Sequence, residues 1–479
     1  MNPRLVAHTL GAITLLVGST MITAAAWAAV DGSPDLMPLI YSCLATCLVG
    51  GTLLLVRPHG SFRVRDGFAI VGIGWLVIAA LGALPYYLSD YCQSYVDAFF
   101  ESVSGFTTTG ATVLADVEAL PRGLLFWRSL TQWLGGMGII VLSLAVFSVL
   151  NTGMPLYRAE VPGFTHDRLL PRLRQTALTL WMIYIGFTLV VTILLVVAGL
   201  PFFDGLTHAL ATVATGGFST RALSVEAFDN LAAEIVIIVF MLLSGLNFAL
   251  YFRVIQRKGI RTILADAEAR LYLWILAIAS AIVAISLVTA MDLPLLVAIR
   301  QSVFQVVSIN TTTGFSTTNF DAWPSLAKGV LLALMLIGGC TGSTAGGIKV
   351  GRFLLLFSQA RRHLLQSARP HLVAKARVGD SVVQDSIVND VLTFFFMYIM
   401  LYCVGVFTVL ADGQDLVTSL SASATMIGNV GPGFGAVGPY LNFGGLSSLT
   451  KLILSGLMVA GRLEIVTVLL MFTRAFWRR

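Results

Sequence analysis

Four short polar segments carry the residue types that could hold a cation stripped of water. They read SGFTTTGAT (residues 104–112), ATVATGGFST (211–220), NTTTGFST (310–317) and IGNVGPGFG (427–435). Aligned, they set Gly110, Gly216, Gly314 and Gly431 at matching positions, roughly 100 residues apart. An ion such as potassium must exchange its hydration shell for neutral oxygens, and rings of backbone carbonyls supply them. Turning consecutive carbonyls the same way needs alternating dihedrals, and glycine takes the positive φ without penalty. The residues before each glycine would give the carbonyls: Thr108 and Thr109, Ala214 and Thr215, Thr312 and Thr313, Asn429 and Val430. Loop four is the odd member, with no threonine at the matching place.

The elements that position such loops follow from composition. The chain has 479 residues, is 57% hydrophobic and only 11% charged, against about 25% charged in a soluble domain. Many apolar runs reach the ~20 residues that a membrane-crossing helix needs. The fold class is an all-α polytopic membrane protein. Two leading spans are expected at 8–29 and 36–56, the first a retained helix rather than a cleaved signal. Four units follow, each a span, a short amphipathic segment, a Thr/Gly loop and a second span. The span pairs are 67–88 and 122–150, 176–200 and 229–254, 270–292 and 326–357, and 387–411 and 446–474. That makes ten spans in all. By domain, residues 1–60 hold the leading helices, and 66–152, 175–257, 268–360 and 387–479 hold the repeats. A cytoplasmic connection runs over 361–386. Irregular backbone at membrane depth survives only where it lines a cavity or protein, so four such loops predict a pore with pseudo-four-fold walls.

The net charge of +6 does not point to nucleic acid, because the basic residues mark topology. Arg57, Arg63 and Arg65 share one connection; Arg158, Arg168, Arg172 and Arg174 another; Arg253, Arg257, Lys258 and Arg261 a third; Arg361, Arg362, Arg369, Lys375 and Arg377 the next. Acidic residues dominate the alternate connections. By the positive-inside rule both termini are cytoplasmic, and the four loops lie on the outer half. Cys43, Cys47, Cys92, Cys340 and Cys403 are scattered, lack zinc-site spacing and read as small buried hydrophobes. No hydrolase or ATPase motif is present, so the chain is not expected to be an enzyme.

Two features lie below the loops. In the second span of unit three, Gly338, Gly339, Gly342, Gly346 and Gly347 fall within ten residues. Glycine costs about 1 kcal/mol per residue inside a helix, so this run should unwind; close helix packing through small residues is the alternative. Arg462 lies inside the last span, where a charge normally faces a cavity and a partner. Lys349 reads as a boundary cation, and His208 as a polar residue of a short helix rather than a metal ligand. Glu101 and Asp97 would draw cations to the outer mouth, with an exposed or capping role as the equal alternative.

The chain resembles the potassium-translocating subunits of bacterial Trk systems (TrkH, TrkG, TrkI) over nearly its whole length, with Ktr and HKT proteins more distant. The resemblance rests on GFTTTGAT (105–112), QWLGGMGII (132–140), LYRAE (156–160), GGFST (216–220), GGCTGSTAGGIK (338–349) and GRLE (461–464). It implies inner-membrane potassium uptake through a carbonyl filter. It also implies that the loop at 338–347 and Arg462 occlude the path beneath that filter. Potassium enters as the substrate, and no cofactor is implied. The implied assembly is a homodimer regulated by a cytoplasmic TrkA-like ring that binds nucleotides. Proton coupling, sodium or mixed permeation, and a non-conducting receptor or scaffold stand as alternatives. In that family a serine at the first filter position accompanies sodium permeation. Gly110→Ser is therefore expected to lower the potassium-to-sodium flux ratio in transport assays; an unaltered ratio would refute the assignment of loop one.

Overall fold

The computed structural model describes residues 2–58, 63–150, 169–254, 259, 261–369, 377–379 and 381–477. Six of its helices are long and apolar enough to cross a bilayer: Pro3–Asp31, Leu36–Leu54, Arg65–Leu88, Ala177–Val197, Ala267–Met291 and Asp385–Ala411. They coincide with the two leading spans and the first span of every unit. A further helix, Arg122–Leu150, matches the second span of unit one. Among the described residues, the strands are one antiparallel pair, Arg377–Val378 with Ser381–Val382.

The remaining second spans are each two shorter helices. Unit three breaks between Ser325–Leu336 and Val350–Ala368, as the glycine run requires. Units two and four, expected as single helices, are also interrupted. In unit two Leu231–Ser244 gives way to Phe248–Arg253, because the Asn247 carboxamide accepts from the Ala249 amide at 2.9 Å and starts a new helix. In unit four Ser448–Arg462 stops before Ile465–Met471, with Glu464 between them at φ 64°. A short polar side chain such as that of Asn247, which bonds nearby backbone, favours a cap over a helix interior.

Between the two spans of each unit sits a short inner helix: Tyr95–Phe106, Phe202–Ala214, Leu295–Asn310 and Leu416–Gly428. Ser94 and Asp415 start the first and fourth with side-chain caps. Pro201 and Pro294 start the second and third, where proline's fixed φ suits a helix entrance. Their C-terminal halves are buried almost without exception, so the loops that follow are held by protein on every side.

The two leading helices pack closely because they are small where they meet. A Cβ on Gly50 would lie 2.6 Å from the Leu15 amide nitrogen, and one on Gly11 would lie 2.7 Å from that of Leu54. Cys47 fills part of the same seam against Gly18. The expectation that all five cysteines are buried needs correction: Cys92 and Cys340 are buried, Cys43 and Cys47 half-buried, and Cys403 exposed. A thiol is small and apolar enough to face lipid at little cost. Gly50→Val forces backbone apart, so it is expected to cost about 1–3 kcal/mol of stability. A lowered midpoint of thermal unfolding in detergent would show this, and an unchanged midpoint would refute the close seam.

A ring of four glycine-bearing loops

Each inner helix ends in the same way. The chain turns left-handed at Thr108, Thr215, Thr312 and Asn429 (φ 51°, 54°, 57° and 57°). The next residue donates its amide back to the carbonyl five residues earlier: Thr109 to Ser104 (2.9 Å), Gly216 to Ala211 (2.8 Å), Thr313 to Ser308 (2.9 Å) and Val430 to Thr425 (2.8 Å). A second positive φ follows at Gly110, Gly217, Gly314 and Gly431 (82°, 78°, 80° and 100°). Such 6→1 bonds satisfy carbonyls that a helix end leaves open.

This fixes the register, and it corrects loop two. The residue equivalent to Gly110, Gly314 and Gly431 is Gly217, and Gly216 occupies the place of Thr109, Thr313 and Val430. Two adjacent glycines concealed the one-residue shift. Ala214 accordingly belongs to the helix end, not to the loop.

The loops meet in a closed circuit. A Cβ on Gly110 would strike the carbonyl oxygen of Gly216; on Gly217, that of Thr313; on Gly314, that of Val430; and on Gly431, that of Thr109. Each loop's glycine thus faces the carbonyl of the next loop, and the fourth returns to the first. All four glycines line one cavity of about 100 Å³, room for ~3 waters. Arg128, Arg221, Tyr440 and Asn442 help to wall it. Over this mouth the Tyr440 hydroxyl donates to the Glu226 carboxylate. Burial first, and then that carboxylate, hold the phenol well above its ordinary range.

The walls are braced differently. In loops one and three, threonine hydroxyls pair across one residue: Thr107 with Thr109 at 2.7 Å, and Thr311 with Thr313 at 2.8 Å. Loop two lacks that hydroxyl. There Gln132 of the Arg122–Leu150 helix donates to the Gly216 carbonyl at 2.6 Å and accepts from the Phe218 amide at 3.1 Å. In loop four the Asn429 carboxamide reaches Thr109 Oγ1 (3.0 Å) and the Met458 carbonyl (2.9 Å), tying wall four to wall one.

Residues 337–349 cross the helix-end side of this ring. Thr344 Oγ1 donates toward the Val213 (3.2 Å) and Ser244 (3.3 Å) carbonyls, and the Gly346 amide donates to Thr312 Oγ1 at 2.7 Å. Gly346 also lies against the Gly428 carbonyl and Asn429. Arg462, buried at the end of its helix, donates one Nη to the Thr344 carbonyl at 2.6 Å. Its Nε and other Nη have no hydrogen-bond partner among the described residues. Gly338, Gly339, Gly342 and Gly347 lie in the same crossing: Gly338 bonds the Ile348 carbonyl (3.0 Å), and the Phe248 amide bonds the Gly342 carbonyl (3.1 Å). Lys349, expected at a boundary, donates its ammonium to the Ala345 carbonyl and so belongs to this segment. Glu268 ties the segment to the start of the helix after it: it accepts from the Thr341 amide (2.6 Å), the Thr341 hydroxyl (2.9 Å) and the Gly351 amide (2.8 Å).

Comparison with known proteins now decides the family. The model described as "TrkH: Cation transport protein" matches residues 39–479. The chain belongs to the TrkH family. It is 37% identical to the Trk system potassium uptake protein TrkH of Salmonella typhimurium, over all of both chains. It is 38% identical to TrkG of Escherichia coli over 90% of each chain. The crystal structure of the potassium transporter TrkH from Vibrio parahaemolyticus superposes with a TM-score of 0.92 at 35% identity, covering both chains fully. The relatives are named as transport proteins, not enzymes, and no His/Cys/Asp/Glu cluster among the described residues has the makings of a metal site.

Sequence reading placed several residues wrongly or missed them. Glu101, expected at the mouth or as a cap, is fully buried in an ion pair with Arg128 at 2.9 Å. Asp97 does stand in a first helical turn, where it bonds Lys451 at 2.6 Å. His208 is buried, with Nδ1 at 2.7 Å from the Asp204 carbonyl and Nε2 at 2.9 Å from Ser219 Oγ. Gln132, Arg128 and Glu268 drew no notice as site residues, since their partners lie 27 to 91 positions away. The segment 156–160 lies outside the described residues. The register makes a sharp distinction: Gly217→Ala meets backbone at positive φ, whereas Gly216→Ala presses on the Gln132 side chain. The left-handed penalty alone is about 1–2 kcal/mol. Ion flux is expected to fall at least about tenfold more in Gly217→Ala than in Gly216→Ala, and the reverse order would refute the register.

Proposed function

We propose that this chain takes up potassium across the bacterial inner membrane through the ring of four loops. The observation that carries the reading is the closed circuit in which the Thr109, Gly216, Thr313 and Val430 carbonyls each abut the preceding loop's glycine. Four carbonyls from equivalent places in the four loops, next to a cavity with room for a few waters, are what a dehydrating cation needs. Thr108 Oγ1 at the base of loop one is buried without a hydrogen-bond partner among the described residues, an oxygen free for an ion. The names of the relatives, potassium uptake proteins of Trk systems, point the same way.

Residues 337–349 and Arg462 serve as the gate. The segment bonds walls two and three and packs on wall four, so an ion leaving the ring meets it first. A buried guanidinium with one hydrogen bond repels a cation strongly, because the surrounding dielectric is low. Opening moves the segment aside and draws Arg462 away from Thr344. The reading extends to a homodimer with a cytoplasmic nucleotide-binding partner and both termini inside. The distribution of Arg and Lys supports the orientation.

Growth of a cell lacking its own potassium uptake, at low potassium, tests the function: rescue is expected, and failure with normal membrane insertion would refute it. In proteoliposomes, Arg462→Ala is expected to raise potassium flux several-fold. A flux unaltered by that change would remove Arg462 from the gate. An imposed pH gradient is expected to leave the flux unchanged, and a flux driven by the gradient would replace the channel reading with symport.

A further inference from the structure

We infer that the buried Glu101–Arg128 pair is a positioning clamp that sets ion preference by holding the outgoing strands of walls one and two together. The inference rests on the filter reading above. Glu101 accepts from Arg128 Nε at 2.9 Å, from Thr112 Oγ1 through both oxygens (3.1 and 3.0 Å) and from the Val113 amide at 3.0 Å. Thr112 and Val113 directly follow Gly110 and Ala111 in wall one. Arg128 then reaches across: one Nη donates to the Ser219 carbonyl of wall two at 3.1 Å, and the guanidinium stacks 4.0 Å from the centre of the Phe218 ring. Gly217 immediately precedes Phe218. One ion pair therefore brackets the exits of two adjacent walls.

The register of the inner helices shows that the fold does not demand this pair. Glu101 stands seven residues before the left-handed residue Thr108. The same place holds His208 in helix two, Gln305 in helix three and Ala422 in helix four. His208 bonds Ser219 Oγ, and the Gln305 amide approaches Thr317 Oγ1 at 3.4 Å. Two neutral side chains and a methyl thus serve the equivalent position in three walls. A fully buried ion pair is seldom the most stabilising choice, since the desolvation of both charges offsets their attraction. Its charge-assisted bonds do fix geometry more tightly than neutral ones. Wall two is also where stiffness is most needed, because Gly216 replaces the braced threonine of loops one and three. Both clamps on that wall, Gln132 and Arg128, come from the second span of unit one.

The test is the potassium-to-sodium flux ratio in proteoliposomes, with the amount and unfolding midpoint of each variant measured alongside. Glu101→Gln keeps the shape and acceptor but removes the charge; Arg128→Lys keeps the charge but loses the forked reach to Ser219. Each is expected to lower the ratio by about tenfold, the effect of losing one charge-assisted bond, while the protein stays folded. A wild-type ratio in both folded variants overturns the clamp. If the single variants fail to insert, the doubly neutral Glu101→Gln/Arg128→Gln protein leaves no unpaired charge and carries the same expectation. Its failure to insert would make the pair a folding requirement and also overturn the inference. Gly110→Ser serves as control: if it too leaves the ratio unchanged, the filter reading has failed, and not the clamp alone.

Discussion

The contact on which the structure depends is that of a glycine Cα against a neighbour's backbone carbonyl, repeated four times around a closed circuit. No side chain fits at Gly110, Gly217, Gly314 or Gly431, since a Cβ at each would enter the next loop's oxygen. Backbone that irregular, enclosed by protein among membrane-spanning helices, must keep its polar groups satisfied. The inner helices accomplish this by returning one amide from each loop to the helix end, at 2.8–2.9 Å in all four. The spans outside them serve mainly to wall this assembly and to face lipid.

The four walls share a backbone and differ in how they are held. Walls one and three are braced internally by paired threonines, wall two by Gln132 and Arg128, and wall four by Asn429. The bracing also joins the ring to what lies beneath it. Thr312 offers its hydroxyl to the Gly346 amide, so wall three and the crossing segment share a bond. Any motion of that segment must release wall three, and any change at wall three alters what the segment rests on. Arg462 adds charge to the same place through Thr344.

Much of this could be read from the sequence, and the reasons for the remainder are local. The loops declared themselves because glycine and threonine stand out against apolar surroundings, and the break in unit three because five glycines crowd ten residues. Loop two misled by one position: in Thr215-Gly216-Gly217 either glycine satisfies composition, and it is the helix-end bond from Gly216 to Ala211 and the positive φ at Gly217 that tell them apart. The interruption in unit two rests on Asn247, a single amide that looks unremarkable in an apolar run, and that in unit four falls at Glu464, whose positive φ composition does not announce. The Glu101–Arg128 pair joins two helices 27 positions apart, a distance at which residue type carries no sign of contact.

The central claim is that the four loop carbonyls form one ion site on a common axis. The direct measurement is anomalous diffraction from crystals of the protein grown with rubidium or thallium, heavier surrogates for potassium. The account predicts an anomalous peak enclosed by the carbonyls of Thr109, Gly216, Thr313 and Val430. A ring without any peak, in crystals whose ions are found elsewhere along the chain, would contradict it.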